Sequence, residues 1–400
     1  MQPKGTARIA VIGFGPRGLG ALEALSQRLK STDRRVQIDI YEPGPYPGAG
    51  PNFAPSEPAY CLLNIPYRDI AIRPPQGTTV GRFAEWQDRP IDPDSFPSRA
   101  DMGRYLNARW DDLFAQGFKK TGATLRLIPA QVSRISRKGS GWCVESKSGA
   151  EAVYNEVLLT LGQPPVEADA QWAGWQDHAA QTKAEVAQAY PAAALAEQAA
   201  GWQGKQVAIR GLGLSTYDVL RSLTTAQGGG FDPAGYHASG REPSRILPFS
   251  LNGQPPFPKP GNAALDALFE PLSEETAHFI QAATAAVSAG PKVAPSLISG
   301  AMVPVVARIL GPQNVSEAEV AEWLETEWSD PGAQDRLPPM DALRYGIDLA
   351  VGEVVPSPGY ALGQVWRKWQ DQWRAAFNPG HATPETAKRL IDFDEGLKRY

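Results

Sequence analysis

A glycine-rich turn near the start of the chain, set between an apolar run and a leucine-rich run, constrains the fold more than any other feature. Residues 8–13 are apolar and rich in β-branched side chains, which predicts a buried parallel strand. Residues 16–30 place leucines at three- and four-residue steps, which predicts a helix with one apolar face. Residues 35–42 alternate in polarity and end on an acid, which predicts a second strand. This order of strand, turn, helix and strand predicts a dinucleotide-binding unit.

The glycines of this turn are spaced as a dinucleotide's diphosphate requires. Gly13 permits the tight turn, Gly15 lets the backbone approach the phosphates, and Gly18 lets the helix pack closely on the strand. Pro16 suits the first helical position, where no N–H donor is needed. The free N–H groups at the start of the helix would hold the anion, and Arg17 is predicted to help position it. The alternative is a glycine turn selected only for packing.

An acidic residue, Glu42, stands at the end of the second predicted strand. Its carboxylate can accept hydrogen bonds from the hydroxyls of a ribose, whereas its charge would repel a 2′-phosphate. The first site is therefore predicted to take FAD or NAD rather than NADP. A lone glycine motif is weak, but the preceding strand, the following helix and the placed acid are the context that supports it.

A second turn of the same kind follows a second short apolar run, which begins near residue 205. Gly211 and Gly213 occupy the first two glycine positions, and Thr216 replaces the third glycine, so the helix and strand are predicted to pack less closely. Ser215, near the start of the next helix, is predicted to donate to a phosphate. The alternative for Ser215 is a helix cap.

Residues 236–241 are the best sequence candidate for the second strand of this unit, and they end on Arg241 rather than on an acid. A guanidinium at that position can pair with a 2′-phosphate, which slightly favours NADPH over NADH. A solvated loop cation is the alternative, and Arg245 is a rival for the same role. The proline-rich residues 243–261 are predicted to be loop.

The charge and hydropathy of the chain bear on its partners and location. With 39 basic and 43 acidic residues the net charge is −4, and no basic run predicts a nucleic-acid partner. No apolar run approaches the roughly 18 residues of a bilayer span, so no membrane partner is predicted. The amino terminus lacks the pattern of a signal peptide, which predicts a cytoplasmic location. The oligomeric state is left open.

Few residues outside the glycine turns carry a chemical signal. Cys61 and Cys143 do not form a Cys-x-x-Cys pair, which argues against dithiol chemistry and favours buried apolar roles. The four histidines lack metal-ligand spacing, so no metal site is predicted. No catalytic acid, base or nucleophile can be assigned from the sequence.

Several short segments together resemble the FAD/NAD(P)-binding superfamily, and within it a bacterial group that includes FAD-dependent urate hydroxylase-like proteins. The matching segments are residues 12–18, 41–43, 48–50, 62–66 and 158–162. Flavoprotein monooxygenases of the N-hydroxylating and Baeyer–Villiger kinds share the plan of two glycine turns. The resemblance implies FAD at the first turn and NAD(P)H at the second.

The same resemblance implies roles for residues outside the two turns. Gly48 and Gly50 would run past the diphosphate and the flavin, and Asn64 would lie beside the isoalloxazine ring. The backbone of Val132 would touch the adenine, and Gly162 would end the strand that returns to the cofactor. Each has a structural alternative: turn glycines, a turn-stabilising asparagine and a core valine.

The predicted fold class is α/β, with two Rossmann-like FAD/NAD(P)-binding units of the three-layer ββα type and a largely helical C-terminal region. The predicted divisions are an FAD-binding domain at 1–165, a connection at 166–204, an NAD(P)-binding unit at 205–261 and a helical region at 262–400. Whether the last region returns to the FAD domain, and whether the chain is a fragment, stays open.

The function that the resemblance implies is an FAD-dependent oxidoreductase that uses NAD(P)H, with hydroxylation of a small molecule by a monooxygenase as the leading hypothesis. Two alternatives remain: a flavin dehydrogenase or oxidase without hydroxylation, and a nucleotide-binding module without catalysis. Members of the superfamily usually carry a late Gly-Asp element that contacts the flavin ribityl chain, and no such element is found in this sequence.

Overall fold

The computed structural model of the chain describes residues 6–163, 167–232, 234–251, 253–332, 334, 336–377 and 379–400. Two units are distinguished within the chain. The first comprises Met1–Lys205 and Asp218–Ser244, and the second comprises Gln206–Tyr217 and Arg245–Tyr400. The domain boundaries expected from the sequence remain a prediction.

The helices and strands follow one another in chain order. Up to residue 199 they are β1 (Ala7–Ile12), α1 (Pro16–Leu29), β2 (Arg35–Tyr41), α2 (Phe83–Trp86), α3 (Arg99–Asp112), β3 (Gly122–Ile128), β4 (Val132–Lys138), β5 (Gly141–Ser146), β6 (Glu151–Tyr154), β7 (Glu156–Leu159), α4 (Ala170–Gln181) and α5 (Ala192–Ala199). Beyond residue 205 they are β8 (Gln206–Arg210), α6 (Ser215–Leu223), β9 (Gly230–Asp232), β10 (Gly235–His237), β11 (Arg245–Phe249), α7 (Ala263–Ala267), α8 (Ser273–Ser288), α9 (Ala294–Leu310), α10 (Glu317–Ser329), α11 (Pro339–Val351), α12 (Pro358–Lys368), α13 (Gln370–Ala376) and α14 (Pro384–Leu397).

The first unit is built on a parallel four-stranded sheet with strand order β3-β2-β1-β7. β1 pairs with β2 on one side and with β7 on the other, so that Ile12 lies level with Tyr41 and Leu159. A separate antiparallel sheet has the order β4-β5-β6. Because the ends of β1, β2 and β7 lie at one edge of the parallel sheet, the loops that follow these strands are brought together there.

Alternation along the parallel strands separates two apolar layers. On one face, Val11 and Ile38 pack in a core with Leu19 of α1 and Tyr105 of α3. On the other face, buried side chains of β1 and β2 pack against the antiparallel sheet; they are Ala10, Ile12 and Tyr41, with Val144 and Tyr154 opposite. A strand residue points to the opposite face from its neighbour, so one apolar strand supplies both layers. This is the three-layer arrangement predicted from the sequence.

The second unit contains a two-stranded parallel sheet, β11 beside β8, and the first residues of α6, which follows β8. The predicted second strand at 236–241 is wrong: β10 forms an antiparallel hairpin with β9, and the strand that pairs with β8 is β11. The prediction that 243–261 is entirely loop is wrong for the same reason. Pro248 lies within β11, and a proline is tolerated in a strand with a free edge because its missing N–H can face away from the ladder.

The rest of the second unit is a helical core rich in aromatic side chains. Phe279 of α8 stacks on Trp369 with ring centroids 4.2 Å apart, and Trp328 of α10 stacks on Phe393 of α14. These four side chains are nearly or fully buried. The predicted helical character of the C-terminal region is confirmed.

One helix of this core corrects an expectation about hydropathy. Ala294–Gln313, which contains α9, is a 20-residue stretch that includes an 18-residue window of mean hydropathy 1.5, so the prediction that no apolar run approaches bilayer-spanning length is wrong. Ile298, Met302 and Val306 of this helix are fully buried in the core of the second unit. Packing within the protein therefore accounts for its apolar character.

Candidate functional site

The turn between β1 and α1 requires glycine at its first position. Gly13 has a φ of +80°, and its N–H donates to the carbonyl oxygen of Tyr41 at 2.9 Å. A Cβ built on Gly13 would lie 2.8 Å from the carbonyl oxygen of Thr160. The main chain after β7 thus lies directly against this turn, and no larger residue fits between them.

A loop that contains Gly48 and Gly50 approaches the turn between β1 and α1. The N–H of Gly48 donates to the carbonyl oxygen of Phe14 at 2.7 Å, which ties the two turns together. Gly50 has a φ of +68°, and a Cβ built on it would lie 3.2 Å from the Cα of Gly15. Gly48 has a φ of +87° and packs against Trp110 and Leu106. Two backbone segments without side chains therefore face each other beside the start of α1.

The N-terminus of α1 is open to an anion. Gly15 is the N-cap residue and makes no side-chain capping bond, Pro16 occupies the first turn, and that turn has no acidic residue. Arg17 is exposed and adds positive charge at the same end. The first N–H groups of a helix lack partners within the helix and carry its positive dipole end. A diphosphate placed here would supply the missing acceptors.

Close packing of α1 on the sheet depends on Gly18. A Cβ built on this residue would lie 2.8 Å from Phe14 Cδ2 and 3.1 Å from Thr160 Oγ1. This contact agrees with the role that the glycine spacing predicts for the third glycine. Thr160, which also donates its hydroxyl to the carbonyl oxygen of Gly13, was not singled out in the sequence. The signal available for it was its position in the segment 158–162, directly after a buried strand.

Glu42 lies against the first turn, with both carboxylate oxygens engaged by backbone donors. The N–H of Phe14 donates to Oε2 at 2.7 Å, and the N–H of Gly44 donates to Oε1 at 2.7 Å. The carboxylate therefore holds the turn in place, which sequence reasoning did not foresee. Each carboxylate oxygen has a second lone pair, so ribose hydroxyls could still donate to it. The ribose contact stays a prediction.

Three other residues predicted to lie near FAD, namely Asn64, Val132 and Gly162, occupy separate positions in the first unit. Asn64 is exposed in the segment after Leu62, which forms a β-bridge with Ser98. Val132 is half-buried at the start of β4. Gly162 is exposed with a φ of +73° and open space around its Cβ position. Their predicted contacts with FAD remain predictions.

The turn between β8 and α6 is more open than the turn between β1 and α1. Gly211 has a φ of +114°, and its N–H donates to the carbonyl oxygen of Phe249 at 2.7 Å. No described atom lies within 4 Å of a Cβ built on Gly211 or on Gly213. Thr216, in place of a third glycine, donates its hydroxyl to the carbonyl oxygen of Gly211 at 3.0 Å. Ser215 is exposed at the first position of α6.

Arg241 does not have the strand position expected of it. It is exposed in the loop after the β9–β10 hairpin and belongs to the first unit, whereas Gly211, Gly213 and Ser215 belong to the second. The strand that pairs with β8 begins at Arg245 and ends at Phe249. The strand-end argument for Arg241 is therefore wrong, and its pairing with a 2′-phosphate stays a prediction without that support.

A buried acid, Asp39, anchors the layers beneath the first site. Although burial acts to raise it, the pKa of Asp39 lies below its ordinary value because Arg126, Tyr154 and Gln37 donate hydrogen bonds to the carboxylate. Arg126 pairs with it at 3.0 and 2.8 Å, and Tyr154 donates to it at 2.7 Å. The ionised carboxylate thus links the parallel and antiparallel sheets.

Comparison with known proteins concerns mainly the first part of the chain. Residues 10–164 match a protein family described as FAD-NAD(P)-binding. Nitrosuccinic acid synthase npaA of Aspergillus oryzae is 28% identical over 277 residues, which cover 63% of this chain and 41% of that protein. An L-aspartate N-monooxygenase (nitrosuccinate-forming) of Streptomyces davaonensis is 27% identical over 289 residues, which cover 62% of this chain and 44% of that protein.

The matched region spans less than half the length of these relatives. Among solved structures, a flavin-containing monooxygenase from Stenotrophomonas maltophilia aligns with a TM-score of 0.30 and 19% identity, covering 52% of each chain.

Proposed function

We propose that this chain belongs to an FAD-dependent monooxygenase that uses NAD(P)H to hydroxylate a small amino acid. The observation that carries the proposal is the uncapped start of α1 beside the facing glycines Gly15 and Gly50. The names of the two relatives, which concern nitrosuccinate formation and L-aspartate, support amino acids as the substrate class. Because the match covers less than half of each relative, the activity of the whole protein is part of this proposal.

The residues around the first turn fit the diphosphate and ribose of FAD. Gly15 and Gly50 carry no side chains, so the phosphates could approach the backbone there. The open N–H groups of α1 would hold the phosphates, and Arg17 would add charge. The unused lone pairs of Glu42 would accept from the ribose hydroxyls.

Bound FAD would supply the redox chemistry, since a flavin takes a hydride from reduced nicotinamide and passes electrons to dioxygen. The chain's own residues would bind and orient the two cofactors and the substrate. Gly211, Gly213 and Ser215 of the second unit would receive the nicotinamide cofactor. The cytoplasmic location and the lack of nucleic-acid and membrane partners expected from the sequence remain predictions.

Spectroscopy and turnover of the purified protein test this function. We expect FAD to be released on denaturation, NADPH oxidation to rise when L-aspartate is added, and a hydroxylated product to be detected by mass spectrometry. Protein that takes up no FAD would overturn the proposal and favour a binding module. NADPH oxidation without a hydroxylated product would overturn hydroxylation and favour an oxidase.

A further inference from the structure

A small cleft on the first unit is not used by the glycine turns. Its volume is about 330 Å³, and its wall includes Leu62, Tyr67 and Phe96. Two hydrogen-bonded segments frame it: the N–H of Leu63 donates to the carbonyl oxygen of Pro97 at 2.8 Å, and that of Tyr67 donates to Ser95 at 3.0 Å. These bonds fix the cleft in shape, and its volume suits a small molecule.

Two arginines in the lining flank one carboxylate. Arg104 Nη2 lies 2.5 Å from Asp101 Oδ1, and Arg89 Nη2 lies 3.9 Å from Asp101 Oδ2. Both arginine side chains are about half exposed, whereas Asp101 is largely covered. With Asp92, which also lines the cleft, the lining carries two arginines and two aspartates and is neutral overall. Asp101 is already paired with the arginines, so their remaining N–H donors could take an anionic group of a ligand.

Each guanidinium has donors to spare. Arg89 donates to Gln87 Oε1 and to the hydroxyl of Tyr67, both at 3.3 Å, and Arg104 donates to Asp101 and to the carbonyl oxygen of Pro55. A guanidinium carries more N–H donors than these contacts use. A carboxylate is the small group whose geometry matches such donors, often in a bidentate pair.

A further lining residue, Asp92, refines the class of ligand. One of its oxygens accepts from the N–H of Asp94 at 2.9 Å, which leaves the other oxygen for a ligand. Its negative charge would attract an ammonium group and would oppose a ligand that carries only carboxylates. The apolar side chains of Leu62 and Phe96 would contact the aliphatic part of the ligand.

We infer that this cleft binds a small amino acid, with its carboxylate held by Arg89 and Arg104 and its ammonium by Asp92. The inference deepens the proposed function and rests on it, because the cleft is the place on the first unit where the substrate would be recognised. Leu62 and Tyr67 of its wall lie on either side of Asn64 in the sequence, and Asn64 is the residue expected beside the flavin. The cleft itself can be tested separately from the redox reaction.

Calorimetric titration of the FAD-loaded protein with L-aspartate and with succinate tests the inference. We expect L-aspartate to bind more tightly than succinate, and R104Q or R89Q to weaken L-aspartate binding by about tenfold or more, because a charge-assisted hydrogen bond is lost. D92N should reduce the preference for L-aspartate over succinate. The matched control is R134Q, which alters an exposed arginine on β4 and should leave binding unchanged.

The outcomes separate the two proposals. If FAD is retained and L-aspartate raises NADPH oxidation, but R104Q, R89Q and R134Q bind L-aspartate equally, the assignment of the cleft is overturned and the proposed function stands. If the wild-type protein takes up no FAD, the proposed function fails, and with it the assignment of the cleft to a substrate. Thermal melting of each variant shows whether it is folded, and two arginine variants prevent one misfolded protein from deciding the test.

Discussion

Gly15 and Gly50, from turns that follow different strands, face each other so closely that a Cβ on Gly50 would lie 3.2 Å from the Cα of Gly15. The N–H of Gly48 donates to the carbonyl oxygen of Phe14 and holds the two turns in this relation. The two glycine backbones therefore approach each other closely beside the start of α1. This approach depends on the absence of two side chains, so single substitutions can test it.

The first prediction concerns Gly15. We expect Gly15→Val to weaken FAD binding by at least about tenfold, because its side chain would occupy the space needed by the phosphates. Flavin content per mole of purified protein measures the effect. Gly20→Val is the control, since Gly20 lies in the same helix with no described atom within 4 Å of its Cβ position. A Gly15→Val protein that retains its full flavin content would refute this role.

The second prediction concerns the packing of α1. A Cβ at Gly18 would lie 2.8 Å from Phe14 and 3.2 Å from the carbonyl oxygen of Gly13, so we expect Gly18→Ala to lower the free energy of unfolding by about 1–2 kcal/mol. Gly20→Ala should instead raise it by up to about 1 kcal/mol, because alanine favours the helix and meets open space. Urea unfolding of the two variants measures the difference. Equal stabilities would contradict the close contact.

The third prediction concerns Asp39 and acid stability. Since the pKa of Asp39 is lowered in the folded state, its ionised form stabilises the fold above its ordinary pKa, and this stability is lost as the pH falls through the folded value. We expect Asp39→Asn to lower the free energy of unfolding at pH 7 by about 2 kcal/mol, a modest figure because Arg126 is exposed. The difference in free energy of unfolding between Asp39→Asn and the wild type should narrow between about pH 5 and pH 2. A difference that does not change with pH would contradict the pairing of an ionised Asp39 with Arg126.

The fourth prediction concerns the thiol of Cys61. Burial, together with the nearby carboxylates of Asp218 and Glu57, raises the pKa of Cys61 to about 12. Little thiolate exists at pH 8, so we expect Cys61 to resist iodoacetamide in the native protein and to react after denaturation. Mass spectrometry of labelled peptides measures this. Rapid labelling of the folded protein would show that the thiol is accessible and ionised.

The fifth prediction compares Arg241 and Arg245, the two arginines that the sequence offers for a 2′-phosphate. If Arg241 pairs with a 2′-phosphate, Arg241→Ala should weaken NADPH binding by about tenfold or more and leave NADH binding nearly unchanged. Arg245→Ala, at the start of β11, applies the same test to the rival arginine. Dissociation constants for the two nicotinamides decide between them. An equal loss for both cofactors would remove the mutated residue from the phosphate.

The sequence determined the local features of the first site. The strand, glycine turn and helix at residues 7–29 follow from apolar periodicity and from the need for glycine at Gly13, which are properties of neighbouring residues. It misplaced the partner of β8, because strand pairing joins distant segments and the prolines around Pro248 masked a strand. It also underestimated the apolar length of α9, whose apolar character arises from burial in a core that no single segment reveals.

Only the tertiary structure decided which distant segments meet. Thr160 lies against Gly13, Gly50 faces Gly15, and Glu42 holds the N–H of Phe14, although each pair is separated by many residues. The cleft, likewise, requires α3 to bring Arg104 beside a segment that contains Tyr67. Periodicity fixes which side of an element is apolar, whereas these contacts depend on the pairing of strands and on how helices pack over them.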